Sequence, residues 1–242
     1  MIDRELLRRC AAGFGAEVDA ALCERLDIYA ALLTEWNQKM NLTAITDPVG
    51  ITVKHFADSL TAAALLPAGA FSLVDVGTGA GFPGVPLALL RPESRLTLLD
   101  SLQKRLTFLD TVCRELGLPV TLVHARAEEA GRDPAHREQY DAATARAVAA
   151  LPTLCEYCLP LVRVGGRFIA LKGPESDAER EAAQNAIRRL GGRLTDTRSL
   201  TVPAAPEPGI EPFERRLFRV DKVSPTPAGF PRPSAKIAKA PL

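Results

Sequence analysis

Four glycines within eight residues, Gly77, Gly79, Gly81 and Gly84, follow an apolar run from Leu73 to Val76 that only Asp75 interrupts. No other stretch restricts the fold as much. An apolar segment that runs straight into glycines reads as a buried parallel strand ending in a tight loop before a helix. Glycine allows positive φ and lets a ligand approach the main chain, while the first N–H groups of the following helix favour a negative group. The ligand expected there has a nucleotide-like body.

The remaining signals are weighed against that strand and loop. A chain of 242 residues suits one good-sized domain with an appendage, or two small ones. At 47% hydrophobic residues it can build a core without disulfides. With 30 basic and 29 acidic residues, bulk charge announces no nucleic-acid partner, and any basic surface has to be local. No apolar run is long enough for a membrane span, and the N-terminus MIDRELLRRC is charged and lacks a signal core. The expectation is a soluble, unexported, cytoplasmic protein with no membrane partner. Cys155 and Cys158 form a CxxC, but they share a helical face with Leu151, Leu154, Leu159 and Val162. They are expected in the core, and no metal site is expected.

Taken in order, residues 4–12 and 16–39 read as helices. The second carries an apolar stripe of Val18, Leu22, Leu26, Tyr29, Leu33 and Trp36. A polar connector holding Asn41, Thr43, Thr46 and Asp47 precedes a short helix expected over 49–56. Lys54, His55, Asp58 and Ser59 lie just upstream of the glycine loop, either lining the ligand site or serving as surface and caps. Beyond the loop, strands and helices alternate: strands over 95–99, 120–123, 140–145 and 166–171, helices over 102–116, 151–161 and 176–190. Two last strands, over 193–202 and 214–220, have a proline-rich link, Pro203–Pro212, in place of a helix. Alternation predicts an α/β, doubly wound, Rossmann-like parallel sheet, and the final pair an antiparallel C-terminal edge, the shape of a class I methyltransferase. The domain reading is an N-terminal helical extension over 1–66, a Rossmann-like domain over 67–222 and a basic, proline-rich tail over 223–242 without a core of its own.

Gly79-Ala-Gly81-Phe-Pro-Gly84 matches GxGxxG, and Asp100 ends the next strand where a ribose-binding acid belongs, so a dinucleotide is one reading. Asp75 argues against it, being badly placed for a pyrophosphate but suited to an ammonium or to a structural hydrogen bond. Pro83 and Pro86 also alter the helix start where a pyrophosphate would dock. S-adenosylmethionine meets both points, with an ammonium, a carboxylate for the loop and ribose hydroxyls for Asp100. An NAD-dependent oxidoreductase and a non-catalytic scaffold remain the competing readings.

Several further segments carry a resemblance. They are Trp36-Asn-Gln-Lys-Met-Asn-Leu-Thr43, His55-Phe-Ala-Asp-Ser-Leu60, Asp75 through Pro86, Leu98-Leu-Asp-Ser-Leu-Gln-Lys-Arg105, Arg126-Ala-Glu128, Ala145-Arg-Ala147, Ala170-Leu-Lys-Gly173 and Lys239-Ala-Pro-Leu242. Together they resemble the bacterial small-subunit (16S) rRNA guanine-N7 methyltransferases, once called glucose-inhibited division protein B, from about Tyr29 to the end. The resemblance implies S-adenosylmethionine as cofactor, the small ribosomal subunit as partner and 7-methylguanosine as product; we expect a monomer. It places Gly77, Phe82, Ala127, Glu128 and Arg146 at the cofactor, where the loop and strand-end reading already puts Gly79 and Asp100. Arg126 and Lys172, at strand ends, are candidates for positioning the substrate. RNA-contact candidates are Lys39, Lys54, Arg126, Arg146, Lys172, Arg215, Arg216, Arg232, Lys236 and Lys239, although relatives have a more basic tail.

Overall fold

Apolar runs too short for helices pair side by side, and the amphipathic segments between them cover the faces of the resulting sheet. The computed structural model describes residues 1–203, 205 and 209–242. Of the proline-rich link Pro203–Pro212, Ala204 and residues 206–208 lie outside the described residues. Strands β1 (Phe71–Val76), β2 (Ser94–Asp100), β3 (Val120–His124), β4 (Tyr140–Arg146) and β5 (Val162–Lys172) run parallel. Strands β6 (Gly192–Val202) and β7 (Phe213–Lys222) complete a seven-stranded sheet in the order β3-β2-β1-β4-β5-β7-β6. β7 is antiparallel to both of its neighbours, which gives the expected antiparallel edge. β1 pairs with β2 on one side and β4 on the other, so strand order reverses at β1 and a crevice opens beyond the strands' carboxyl ends. Leu73, Val74 and Val76 are fully or almost fully buried, as a two-faced parallel strand requires.

Helix α1 (Arg4–Ala12) falls where the periodicity puts it, with Asp3 as its cap. Helix α2 (Ala20–Met40) begins later than residue 16, because Asp19 accepts from the Leu22 N–H at 2.7 Å and stops the helix there. The short helix expected over 49–56 is longer. Pro48–Gly50, a π-type run Ile51–Ala57 and Asp58–Leu60 join into one helical stretch, α3, capped by Asp47 at the Gly50 N–H. Apart from Lys54, every residue from Ile51 to Leu60 is buried, so packing on all sides holds the widened turns. One apolar cluster runs from Leu7 and Leu26 through Phe56 to Leu73 and Leu96, fastening the N-terminal helices to the sheet.

Helices α4 (Gly84–Leu90), α5 (Gln103–Glu115), α6 (Ala127–Ala130) and α7 (Leu151–Cys158) occupy the crossovers. α7 stops three residues short of Leu161, and β5 begins earlier than Gly166. The charged helix expected over 176–190 is two pieces, α8 (Asp177–Ala182) and α9 (Gln184–Arg189), broken at the buried Ala183. Cys155 and Cys158 are fully buried against the sheet, and burial raises both thiols well above their usual range.

The tail is docked on the sheet domain. Its helix α10 (Ser234–Lys239) buries Ile237. Arg137 donates to the carbonyls of Thr226 and Phe230, both at 2.7 Å, and Arg132 to that of Pro231 at 2.7 Å. Arg232, an expected RNA contact, instead pairs at 2.7 Å with Glu156, a fully buried carboxylate. Lys236 and Lys239 stay exposed.

Candidate active site

The glycine loop is braced from beneath. Asp75 is fully buried and accepts at Oδ2 from the Thr78 hydroxyl (2.6 Å) and the Gly84 N–H (3.1 Å), and at Oδ1 from the Thr144 hydroxyl (2.9 Å). Burial raises its carboxyl to about 6, although these donors and Arg146 pull the other way. Of its two readings the structural one holds: Asp75 fixes the loop's shape and lines neither cavity described below. Gly84 is required at that brace, because a Cβ there would lie 2.7 Å from the Asp75 Cβ. Gly77 has φ +65° and its Cβ would meet Val148 at 2.8 Å.

Two cavities open beyond the strand ends. The smaller, about 350 Å³, is lined by Gly77, Asp100, Arg126, Ala127, Glu128 and Tyr157 among others. The larger, about 760 Å³, is lined by Lys54, His55, Arg146, Lys172, Phe213 and Arg215 among others. Ala147, the residue after β4, lines both, with φ +56°.

Gly77, Asp100, Ala127 and Glu128, all expected at the cofactor, therefore come together in the smaller cavity with Arg126. Asp100 is 2% exposed and accepts from the Gly79 N–H (2.9 Å), the Leu102 N–H (2.9 Å) and Arg105 (3.3 Å). Gly79 is thereby committed to tying β1's loop to β2's end. A carboxylate can accept about four hydrogen bonds, so Asp100 keeps capacity for a ligand hydroxyl. Glu128 is almost buried, and its Oε1 has no hydrogen-bond partner among the described residues. That oxygen lies 4.0 Å from Arg126 Nη1, beyond hydrogen-bond reach, and a carboxylate in one lining with Asp100 fits a ligand that brings donors, as the ribose and amino groups of S-adenosylmethionine do.

Phe82 and Arg146, also expected at the cofactor, are placed beside the larger cavity. Phe82 stacks on His55 with centroids 4.6 Å apart and on Tyr29 at 5.3 Å, and the Arg146 guanidinium lies 5.2 Å from its ring centre. Burial, assisted by Arg146, lowers the His55 imidazole to about 4, so the ring is neutral. Arg146 pairs at 2.6 Å with the fully buried Asp58, which Arg215 also engages. Lys172 is held by Glu179 (2.8 Å) and the Ala149 carbonyl (3.0 Å). Of the upstream group, Lys54 and His55 line this cavity, whereas Asp58 and Ser59 are buried behind it.

Sequence reading missed two site residues. The Tyr29 hydroxyl donates to the Ala80 carbonyl, so α2 holds the glycine loop; within an apolar stripe only its hydroxyl hinted at this. Glu179 both pairs with Lys172 and caps the Leu151 N–H at 2.7 Å, and no local pattern marked it.

Residues 22–204 match the family described as rRNA small subunit methyltransferase G. The chain is 46% identical over 240 residues to the ribosomal RNA small subunit methyltransferase G of Acetivibrio thermocellus, covering 99% of this chain and 96% of the relative. It is 47% identical over 239 residues to the protein of that name from Roseiflexus sp. (strain RS-1), covering 98% and 99%. The chain belongs to this family. It is accordingly an rRNA methyltransferase with S-adenosylmethionine as methyl donor, and the dinucleotide reading of the glycine loop is set aside. Solved structures share the fold. An S-adenosylmethionine-dependent O-methyltransferase from Thermotoga maritima aligns with a TM-score of 0.51 at 17% identity, covering 79% of this chain and 71% of that one. A putative RNA methyltransferase from Pyrococcus horikoshii aligns at 0.53 and 12% identity, covering 77% and 91%. Among the described residues no helix is long and apolar enough to cross a membrane.

Proposed function

We propose that the chain methylates N7 of a guanine in small-subunit rRNA, with the methyl donor in the smaller cavity and the base in the larger. The observation that carries this reading is the meeting of the two cavities at Ala147, a residue with only a methyl side chain to part them. When bound, S-adenosylmethionine supplies an electrophilic methyl on a sulfonium. Asp100 and Glu128 would accept from its hydroxyl and amino groups, Ala127 and Tyr157 would border its base, and Gly77 would leave it room at the main chain.

Guanine N7 has an unprotonated lone pair at neutral pH, so attack on the methyl needs no general base. The residues at the larger cavity fit this chemistry: His55 is neutral, and Arg146, Arg215 and Lys172 are each tied to a carboxylate. Their work is to hold the base and its backbone in line, which makes catalysis chiefly a matter of positioning. N7 lies on an edge that paired A-form RNA hides in its deep groove, so the target guanine enters unpaired or opened. Arg126, 61% exposed in the lining of the smaller cavity, would meet RNA as it enters.

In the same reading residues 1–66 are a helical extension, 67–222 the methyltransferase domain and 223–242 the tail. The enzyme acts as a cytoplasmic monomer, testable by light scattering and by fractionation. The deciding experiment supplies labelled S-adenosylmethionine and enzyme to small subunits from a strain lacking this activity, then maps the label. Label at guanine N7 is the expected result; label only on an exocyclic amine or a ribose would refute the regiochemistry.

A further inference from the structure

Four residues, Ala147 to Ala150, connect β4 to α7. Among the described residues Ala147 is the one that both cavity linings contain, and Val148 and Ala149 line the smaller. Little in the segment itself fixes its shape. Its side chains are three alanines and a valine, Ala147 stands at φ +56°, and the cap of α7 is Ala150, whose methyl accepts no N–H. On its inner side Val148 closes on Gly77, where a Cβ would lie 2.8 Å from it. The far end is held from outside. One oxygen of Glu179, Oε2, accepts from the Leu151 N–H at 2.7 Å and from Lys172 Nζ at 2.8 Å. The same Nζ donates to the Ala149 carbonyl at 3.0 Å. Glu179 lies on α8 and Lys172 ends β5, so α8, β5 and the start of α7 meet at one carboxylate oxygen.

We propose that Glu179 and Lys172 form a strut that sets the position of the 147–150 segment, and through it the alignment of methyl donor and acceptor base. This rests on the function proposed above, and both are positioning residues. The strut grips two adjacent peptide groups in opposite senses, a carbonyl by the ammonium and an N–H by the carboxylate, which fixes the rotation of the chain between them. A carboxylate at the first N–H of α7 also suits the positive end of that helix. Lys172, whose side chain is 12% exposed, has its charge matched by Glu179, so its part at the larger cavity is played through the segment and not as a phosphate ligand. In-line transfer makes the position of this wall matter, because a reactant misplaced by about 1 Å costs about a hundredfold in rate.

The test measures labelled-methyl transfer, at saturating S-adenosylmethionine, to small subunits from a strain lacking the activity. Glu179→Ala and Lys172→Met are each expected to lower kcat by about tenfold or more, with the Kd for S-adenosylmethionine and for RNA within about threefold of wild type. Glu179→Gln keeps an oxygen that can accept from both donors, and its kcat should stay within about threefold. The double variant Glu179→Ala/Lys172→Met should be no slower than the slower single one, because both act through one segment. Lys172→Met should leave the slope of log Kd for RNA against log salt unchanged. A merely structural pair would lower the unfolding midpoint and leave the kcat of the folded enzyme as it was, which would overturn the strut. So would a salt slope reduced by about one phosphate contact in Lys172→Met. A slow Lys172→Met beside a Glu179→Ala at the wild-type rate would make Lys172 a direct substrate contact and likewise refute the proposal. If Glu179→Ala fails to fold, Lys172→Met and Glu179→Gln decide the matter. Failure of the function itself would show separately, as wild type methylating no guanine N7, since the strut is read from the rate of methyl transfer whichever atom receives it.

Discussion

Gly77 has little freedom at the site. An added methyl would meet Val148 at 2.8 Å in a backbone conformation, φ +65°, that side chains avoid. Gly77→Ala should lower unfolding free energy by about 1–3 kcal/mol in urea titration. It should also weaken S-adenosylmethionine binding by about tenfold or more in calorimetry, since the shifted loop narrows the cavity. His55 gives a pH signature. Its imidazole titrates at about 4 in the folded protein against 6.5 ordinarily, so between those values the unfolded chain binds the extra proton. The stabilisation is present above pH 6.5 and is lost as pH falls toward 4. His55→Gln should therefore flatten the acid side of the stability curve by about 3 kcal/mol relative to wild type. Asp75, raised to about 6, acts in the opposite sense over the same range, and comparing the two proteins cancels it. The residue types around the loop were legible in the sequence, and their partners were not. Asp75 alone fitted either an ammonium or a brace, and only Thr144, 69 positions away, and Gly84 decide for the brace.

Strands were legible as elements because buried parallel strands are short apolar runs with sharp ends, and the site residues Asp100, Arg126 and Arg146 lie at or just past those ends. Helix limits were less legible where tertiary packing overrode local signals. α3 extends through π turns because nearly every side chain along it is buried, a condition set by the helices and sheet around it. The tail is the clearest case: its prolines and lysines read as a loose basic arm, yet Arg232 reaches Glu156 across 76 positions of sequence. Removing the arginine leaves a buried carboxylate unpaired. Arg232→Ala should lower stability by about 3 kcal/mol in chemical denaturation, with no change in the salt dependence of RNA binding. A reduced salt slope would restore the tail as an RNA contact.

For the molecule as a whole, two cavities whose linings share Ala147 lead, under the proposed assignment, to the prediction that donor and acceptor sites respond independently to substitution. Glu128→Ala should raise the S-adenosylmethionine Kd by about tenfold and leave RNA affinity unchanged. Combined with Arg215→Ala, its effect on kcat/KM should be additive in free energy, because the two side chains share no partner. Strong coupling between them would mean that the cavities act as one.

The placement of β7 has a consequence for how the enzyme is made. β5 is complete at Lys172, but its neighbour in the sheet is neither the next segment synthesised nor β6. It is Phe213–Lys222, which slides between the two strands already made. Until that strand emerges from the ribosome, β5 exposes an open edge and Arg215 is absent from the larger cavity. A nascent chain halted before residue 213 would hold the glycine loop and the smaller cavity's lining, yet it would be a sticky fragment lacking Phe213 and Arg215 at the larger cavity. The larger cavity is thus among the last features the chain completes during its own translation.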